Sequence, residues 1–307
     1  MKFVTFEKKD QTLRAGLVID ENHVIDMFEA TNGVLPQSML AFIENQRFFI
    51  DLIESVPPFT KEHNGVYSLN EVVLKAPLPN PKSLRDFYAF EQHVKTARQN
   101  RGLKMIPEWY EMPVFYFSNH MAIKGPNEDI SRPKQCYWLD YELEVACIIG
   151  KQGTDIKSNE AEDYIFGYCI MNDWSARDLQ QKEMKVGLGP AKGKDFAISL
   201  GPWIVTKDEL ESLRTEKGYD LNMVARVNGV VLSKGNLKDI HYSFAEMIER
   251  ASAGVTLYPG EVIGSGTVGT GCILELGTDV HRWLEPDDEI ELEITGLGAL
   301  RNRIVSE

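Results

Sequence analysis

The chain has 307 residues, 43% hydrophobic and 26% charged, which is the composition of an ordinary globular protein. Its formal charge of −13 argues against non-specific nucleic-acid binding and against docking on an anionic membrane, since both need a basic surface. No apolar run approaches the length of a transmembrane helix, and Met1-Lys2-Phe3 leads straight into a strand-like pattern instead of a signal peptide, so a cytoplasmic location is expected.

A chain of this length suggests one large domain plus a smaller one. Residues 3–6 and 14–19 read as paired strands, and Asp20-Glu21-Asn22-His23 turns into a further strand over 24–27. Residues 38–53 carry Leu40, Phe42, Ile43, Phe49, Ile50 and Ile53 at helical spacing, and Pro57-Pro58 stops that helix. His23 and His63 sit in polar turns and read as solvated. Pro77, Pro79 and Pro81 then make a stiff extended link, which divides a small N-terminal domain (1–78) from a catalytic domain (79–307).

The next segment holds Asp86, Tyr88 and His93 close to a predicted helix over 90–98. Asp86 and His93 share a face if one helix spans both; a strand end feeding a helix fits equally well. Residues 113–119 form a predicted strand that leads to a turn at 123–126.

Residues 141–149 alternate and then run apolar, as a core strand does. Side chains two apart on a strand share a face, so Glu142 and Glu144 point the same way, roughly 7 Å apart. A second apolar run, 166–171, ends in Asn172-Asp173. Like charges on core strands are costly unless something positive lies between them. Glu142, Glu144 and Asp173 therefore look like ligands for a hard divalent cation, although a strand with one solvated face is the commoner reading of a lone Glu-x-Glu.

A helix is predicted over 158–164. Ser175-Ala176-Arg177-Asp178 reads as a capping box opening the next helix, whose first-turn N–H groups would face whatever Asp173 binds. The glycine-rich loop 187–194 ends in Lys194 but lacks the Ser or Thr of a phosphate-binding loop. Asn228-Gly229 between apolar runs marks a type I′ hairpin. Ser243 and Glu246 form another capping box, on a helix ending at Gly254. The loop 265–271 is rich enough in glycine to bring backbone close to a ligand, Leu274-Glu275-Leu276 follows it, and 290–294 pairs back through Gly296-Leu297-Gly298. Cys136, Cys147, Cys169 and Cys272 have no paired metal spacing and read as buried free thiols. Many short strands with few helices point to a mixed, β-rich α+β fold.

Five stretches occur in an order that resembles the fumarylacetoacetate hydrolase family: Asp86-Phe87-Tyr88 with His93, Asp140-Tyr141-Glu142-Leu143-Glu144, residues 171–178 (MNDWSARD), Gly193-Lys194, and Ser265-Gly266-Thr267. The similarity runs from about residue 78 to the C-terminus, and the spacing of Asp86 and His93 is closer to fumarylacetoacetase than to its acylpyruvase relatives. The resemblance implies a mixed β-roll of the fumarylacetoacetase C-terminal type behind a small N-terminal α+β domain. It also implies a homodimer and one divalent cation per chain, Mg²⁺ or Mn²⁺, with Ca²⁺ a further candidate. Carried over residue by residue, Asp86, Glu142, Glu144 and Asp173 would be the metal ligands. His93, oriented by Glu275, would be the general base, and Lys194 with Gly266 and Thr267 would stabilise negative charge. Tyr88, Tyr116, Arg177 and Gln180 would line the substrate pocket.

The implied activity is metal-dependent hydrolysis of a C–C bond in a β-diketo acid of the fumarylacetoacetate, fumarylpyruvate or acylpyruvate type, in aromatic catabolism. The alternative is an oxaloacetate-type decarboxylase or isomerase on the same metal site. Three departures bear on this. The N-terminal unit is shorter than in the animal enzyme; the tyrosine expected after Asp173 is replaced by Met184 or Lys185; and the arginine expected after His93 is Arg98 or Arg101. The last two concern the distal end of the substrate.

Overall fold

Alternating apolar residues near the N-terminus form antiparallel strands in the computed structural model, which describes residues 1–306. The strands that position the site are β1 (Lys2–Glu7), β2 (Leu84–Phe87), β3 (Leu143–Ile149), β4 (Ile165–Asp173), β5 (Ile198–Val205) and β6 (Val262–Gly264). With others they build a twelve-stranded mixed sheet whose central order is β1-β5-β4-β3-β6-β2. β3 and β4 pair antiparallel with Glu144 opposite Met171, whereas β6 runs parallel to β2 with Gly264 opposite Asp86. The N-terminal strands continue this sheet through the antiparallel β1–β5 pair. Phe3, Met39 and Phe42 pack with Ala146, Phe166 and Ile204 in one buried cluster. The proline-rich link expected at the domain boundary lies just before β2.

A second, five-stranded sheet holds Asn222–Val227, Val230–Asn236, Glu289–Ile294, Gly298–Val305 and Asp129–Ser131. Val145, Cys147 and Ile170 from the large sheet share a core with Met223, Ala225, Leu292 and Leu300 from this one. The strand-rich mixed fold that the pattern implied is therefore present. The Asn228-Gly229 turn has both central residues at positive φ (51° and 78°), as a type I′ turn requires. The Ser243/Glu246 capping box is formed at the start of Phe244–Ser252. All four cysteines are free and buried. No helix among the described residues is long and apolar enough to cross a membrane.

Three local expectations are corrected. The helix predicted over 38–53 is two helices, Met39–Glu44 and Gln46–Ser55, because Asn45 leaves helical geometry (φ −128°, ψ 27°) and caps the first. The helix predicted over 158–164 is only a 3₁₀ turn at Ala161–Tyr164, where Ala161 is the one buried residue and too little apolar surface exists to dock a longer helix. The helix after Asp173 is present as α2 (Arg177–Val186), but without a side-chain cap: the Ser175 hydroxyl donates to the carbonyl of Asp173. The N–H groups of Ala176 and Arg177 donate to the carbonyls of Gly193 and Trp138, so neither is offered to a ligand of Asp173.

Candidate metal centre and proton-transfer pair

Four strands bring the acids together. Asp173 ends β4, Glu144 stands beside it on β3, and Asp86 arrives on β2 across the narrow strand β6. Gly264 makes that approach possible: a Cβ there would stand 2.4 Å from both Asp86 Oδ1 and Met171 Cε. Oxygens of Asp86, Glu144 and Asp173 lie within 4.8 Å of one another, all buried. Asp86 Oδ1 and Asp173 Oδ1 have no hydrogen-bond partner, which for buried carboxylate oxygens points to a missing positive partner. Burial, and then the nearby Asp173, push the Asp86 carboxyl well above its usual range. Burial followed by Asp86 does the same to Glu144, and burial raises Asp173 against the pull of Lys194. An all-oxygen, charge-repelled set of this kind fits a hard divalent cation.

Glu142, the fourth expected ligand, borders this trio with both oxygens occupied. Oε1 accepts from Arg177 Nη2 at 2.8 Å and Oε2 accepts from Lys194 Nζ. Burial alone would raise its carboxyl, but Arg177 and Lys194 outweigh it and hold the group below the usual carboxylate range. Lys194 also donates to Asp173 Oδ2 at 2.6 Å, and these acids overcome the effect of burial to keep its ammonium firmly charged. Tyr116 donates to the same Asp173 oxygen at 2.6 Å. Its phenol is pushed well up by burial and then by Asp173.

The remaining candidates support the acids from behind. The N–H of Gly266 donates to Glu144 Oε2 at 3.1 Å and the Thr267 hydroxyl to Oε1 at 3.3 Å, so both hold Glu144. Arg177 Nη1 donates to Gln180 Oε1 at 3.1 Å.

On the other side of the site, His93 lies on α1 (Glu91–Gln99) and Glu275 on the single turn α3 (Ile273–Leu276). Of the two geometries open for Asp86 and His93, the strand end feeding a helix is the one formed. His93 Nδ1 and Glu275 Oε1 are 2.5 Å apart, both side chains buried, and Glu275 Oε2 also accepts from the N–H of Thr270. Tyr88 meets the imidazole edge-on at 5.3 Å, and burial pushes its phenol up to about 12. Arg101, and more weakly Arg177, oppose that rise, so their charge reaches the Tyr88 phenol; Arg98 Nε and Arg101 Nε both donate to backbone carbonyls, those of Lys104 and Ala97. A separate cavity of about 510 Å³, lined by Lys2, Trp203, Glu291 and Arg301, shares no residue with this site.

Two buried side chains were not assigned from sequence. Asn172 accepts the N–H of Glu142 at 2.9 Å. Asp140 accepts from Arg177 Nε at 2.9 Å and from the N–H groups of Ile273 and Leu274 at 2.8 and 3.0 Å. The available signal for Asp140 was an acid between Leu139 and Tyr141, in a stretch otherwise reading as core.

Residues 82–305 match the fumarylacetoacetate (FAA) hydrolase C-terminal family, to which the chain belongs. It is thus an enzyme of the fumarylacetoacetate hydrolase superfamily. The chain is 30% identical to the oxaloacetate tautomerase YisK of Bacillus subtilis over 99% of its own length and 100% of that protein's. It is 29% identical to the mitochondrial oxaloacetate tautomerase fahd2 of Xenopus laevis, over 99% of this chain and 90% of that one. Among solved structures it is similar to the fumarylacetoacetate hydrolase of Exiguobacterium antarcticum, with a TM-score of 0.75, 28% identity and 100% of both chains covered.

Proposed function

We propose that the protein is a cation-dependent tautomerase of oxaloacetate, moving one proton between the C2 hydroxyl oxygen and C3. The observation that carries this reading is the end-to-end likeness to the Bacillus subtilis oxaloacetate tautomerase. The residues supply a chemistry for it. Going from enol to keto, the hydroxyl oxygen loses its proton, the electron pair of the broken O–H bond becomes the C2=O π bond, and the C2=C3 π pair moves to C3, where it forms the new C–H bond. His93, held at Nδ1 by Glu275, has Nε2 as the nitrogen that takes up and releases the proton, and Glu275 stabilises the imidazolium between those events. The Lys194 ammonium, which bridges Glu142 and Asp173, is assigned to stabilise negative charge on the substrate oxygen. A divalent cation on Asp86, Glu144 and Asp173, with Glu142 beside them, supplies Lewis-acid stabilisation of the same charge when bound. Of Arg98 and Arg101, Arg101 is the one whose charge reaches Tyr88, as that of Arg177 also does, and it is assigned to the distal carboxylate of the substrate.

The test is the decay of enol absorbance with metal-stripped protein, with and without Mg²⁺ or Mn²⁺. Acceleration restored by the cation and lost in His93→Asn is expected; no acceleration with either cation sinks the reading.

A second reading, hydrolysis of a β-diketo acid, is favoured by the same buried His93–Glu275 pair, which is equally suited to deprotonating water. Cleavage of an acylpyruvate, fumarylpyruvate or fumarylacetoacetate into two acids, abolished in His93→Ala, would support it. Release of CO₂ from oxaloacetate, largely retained in His93→Ala, would mark a decarboxylase instead. A homodimer is the assembly we propose, with exposed Phe117, Met121, Tyr137, Val186 and Leu188 as apolar surface for the partner. A monomeric mass in light scattering would exclude it.

A further inference from the structure

We propose that Asp140 is a positioning residue that ties the His93–Glu275 base to the acid cluster, an inference that rests on the proton-transfer reading above. Its fully buried carboxylate serves two parts of the site at once. On one side it accepts the N–H groups of Ile273 and Leu274, the first two residues of α3. The residue before α3, Cys272, gives no side-chain cap, so these donors have Asp140 as their partner. Buried helix-start N–H groups left without acceptors are costly, and the turn sits where its acceptor is. Glu275 lies one residue beyond Leu274, so Asp140 sets the position from which Glu275 grips the imidazole.

On the other side Asp140 accepts from Arg177 Nε, while Nη2 of the same guanidinium donates to Glu142. Asp140 and Glu142 are two residues apart on one chain segment, and the rigid guanidinium spans both. Glu142 in turn holds Lys194, which holds Asp173. A continuous chain of charged hydrogen bonds therefore runs from Asp173 through Lys194, Glu142, Arg177 and Asp140 to the turn that carries Glu275. Proton transfer needs the base at a fixed distance from the carbon held over the acids. Asp140 is the side chain through which this chain of charges reaches the turn.

Asp140→Asn keeps the shape and one acceptor oxygen but presents an NH₂ group to one of the former donors. With the Mn²⁺-loaded enzyme, kcat for oxaloacetate tautomerisation is expected to fall about 10- to 100-fold, the usual effect of losing such a support. KM and Mn²⁺ affinity should stay within about threefold, since the acids themselves are untouched. Because Asp140 acts through Glu275, adding Asp140→Asn to Glu275→Gln should cost little more than Glu275→Gln alone.

The low-field Nδ1–H proton resonance of His93, identified by its absence in His93→Asn, should shift or vanish in Asp140→Asn. Ile273→Pro gives the same connection a second break. It removes one donor at the first helical position, after a Cys272 that is already extended (φ −153°, ψ 161°), and should lower kcat in the same direction. Fully additive losses, or an unchanged kcat and unchanged resonance in Asp140→Asn, overturn the proposal. If wild-type protein fails to tautomerise oxaloacetate, the functional reading falls, and the resonance alone decides the positioning role.

Discussion

The two sides of this site are built on opposite principles. On the acid side, Asp86, Glu144 and Asp173 are rigidly framed by sheet strands, with one oxygen each of Asp86 and Asp173 unpartnered and all three carboxyls pushed above their usual range. On the base side, His93 and Glu275 stand on a helix and a single turn and satisfy each other. The first arrangement is poised against itself and asks for a ligand; the second is complete without one. A scaffold can thus hold like-charged carboxyls in a costly state, provided the strands cannot relax, beside a buried His–Glu pair that is satisfied on its own.

If that division is real, the two sides should fail differently. His93→Asn should have the largest effect, a loss of about 10²- to 10⁴-fold in turnover with Mn²⁺ binding, followed by titration, unchanged. Lys194→Met should cost about 10²- to 10³-fold in turnover, as loss of an oxyanion donor does, yet raise cation affinity because a competing positive charge is gone. Weakened cation binding in that variant would break the comparison.

Thermal melts sharpen it further. Asp86 and Glu144 have folded-state values raised above their ordinary 3.8 and 4.5, so without metal their contribution is least unfavourable below those values and worsens as pH rises through the folded ones. Cation binding removes that penalty, so the stabilisation it gives should grow with pH. It reaches about 2.7 kcal/mol where the cation stands at a hundred times Kd, and an increment independent of pH at a fixed cation concentration would contradict the assignment. The smallest effect is expected from Tyr116→Phe: one hydrogen bond to Asp173 is removed, worth about 1 kcal/mol, and read as a few-fold change in cation affinity.

Much of this was legible in the chain. The acid-tipped core strands showed because burial of like charge leaves a pattern, Glu-x-Glu on an apolar run and Asp at the end of another. The turn at Asn228-Gly229 and the capping box at Ser243 showed because short-range geometry dictates them. The Ser175–Asp178 box misled, since Ser175 and Ala176 are committed to pairing with Leu139 and Asp140 and tertiary pairing overrides a local cap. What Gly266, Thr267 and Arg177 touch could not be read either. Their carboxylate partners lie more than 30 residues away, and nothing local distinguishes a donor to substrate from a donor to a ligand carboxylate. Asp140 escaped assignment for the same reason.

The placement of β6 has a consequence for how the molecule comes into being. Glu144 and Asp173 meet through the local β3–β4 hairpin, but Asp86, though earlier in the chain than either, reaches them only across β6, which is synthesised some ninety residues after Asp173. Closing that parallel β6–β2 contact joins segments about 180 residues apart, the kind of long-range pairing that forms slowly. A nascent or partly folded chain therefore holds two of the three acids and no complete cation site. On the proposed assignment, capture of the ion would signal that the last central strand has been inserted, and the metal would seal a finished fold instead of templating it.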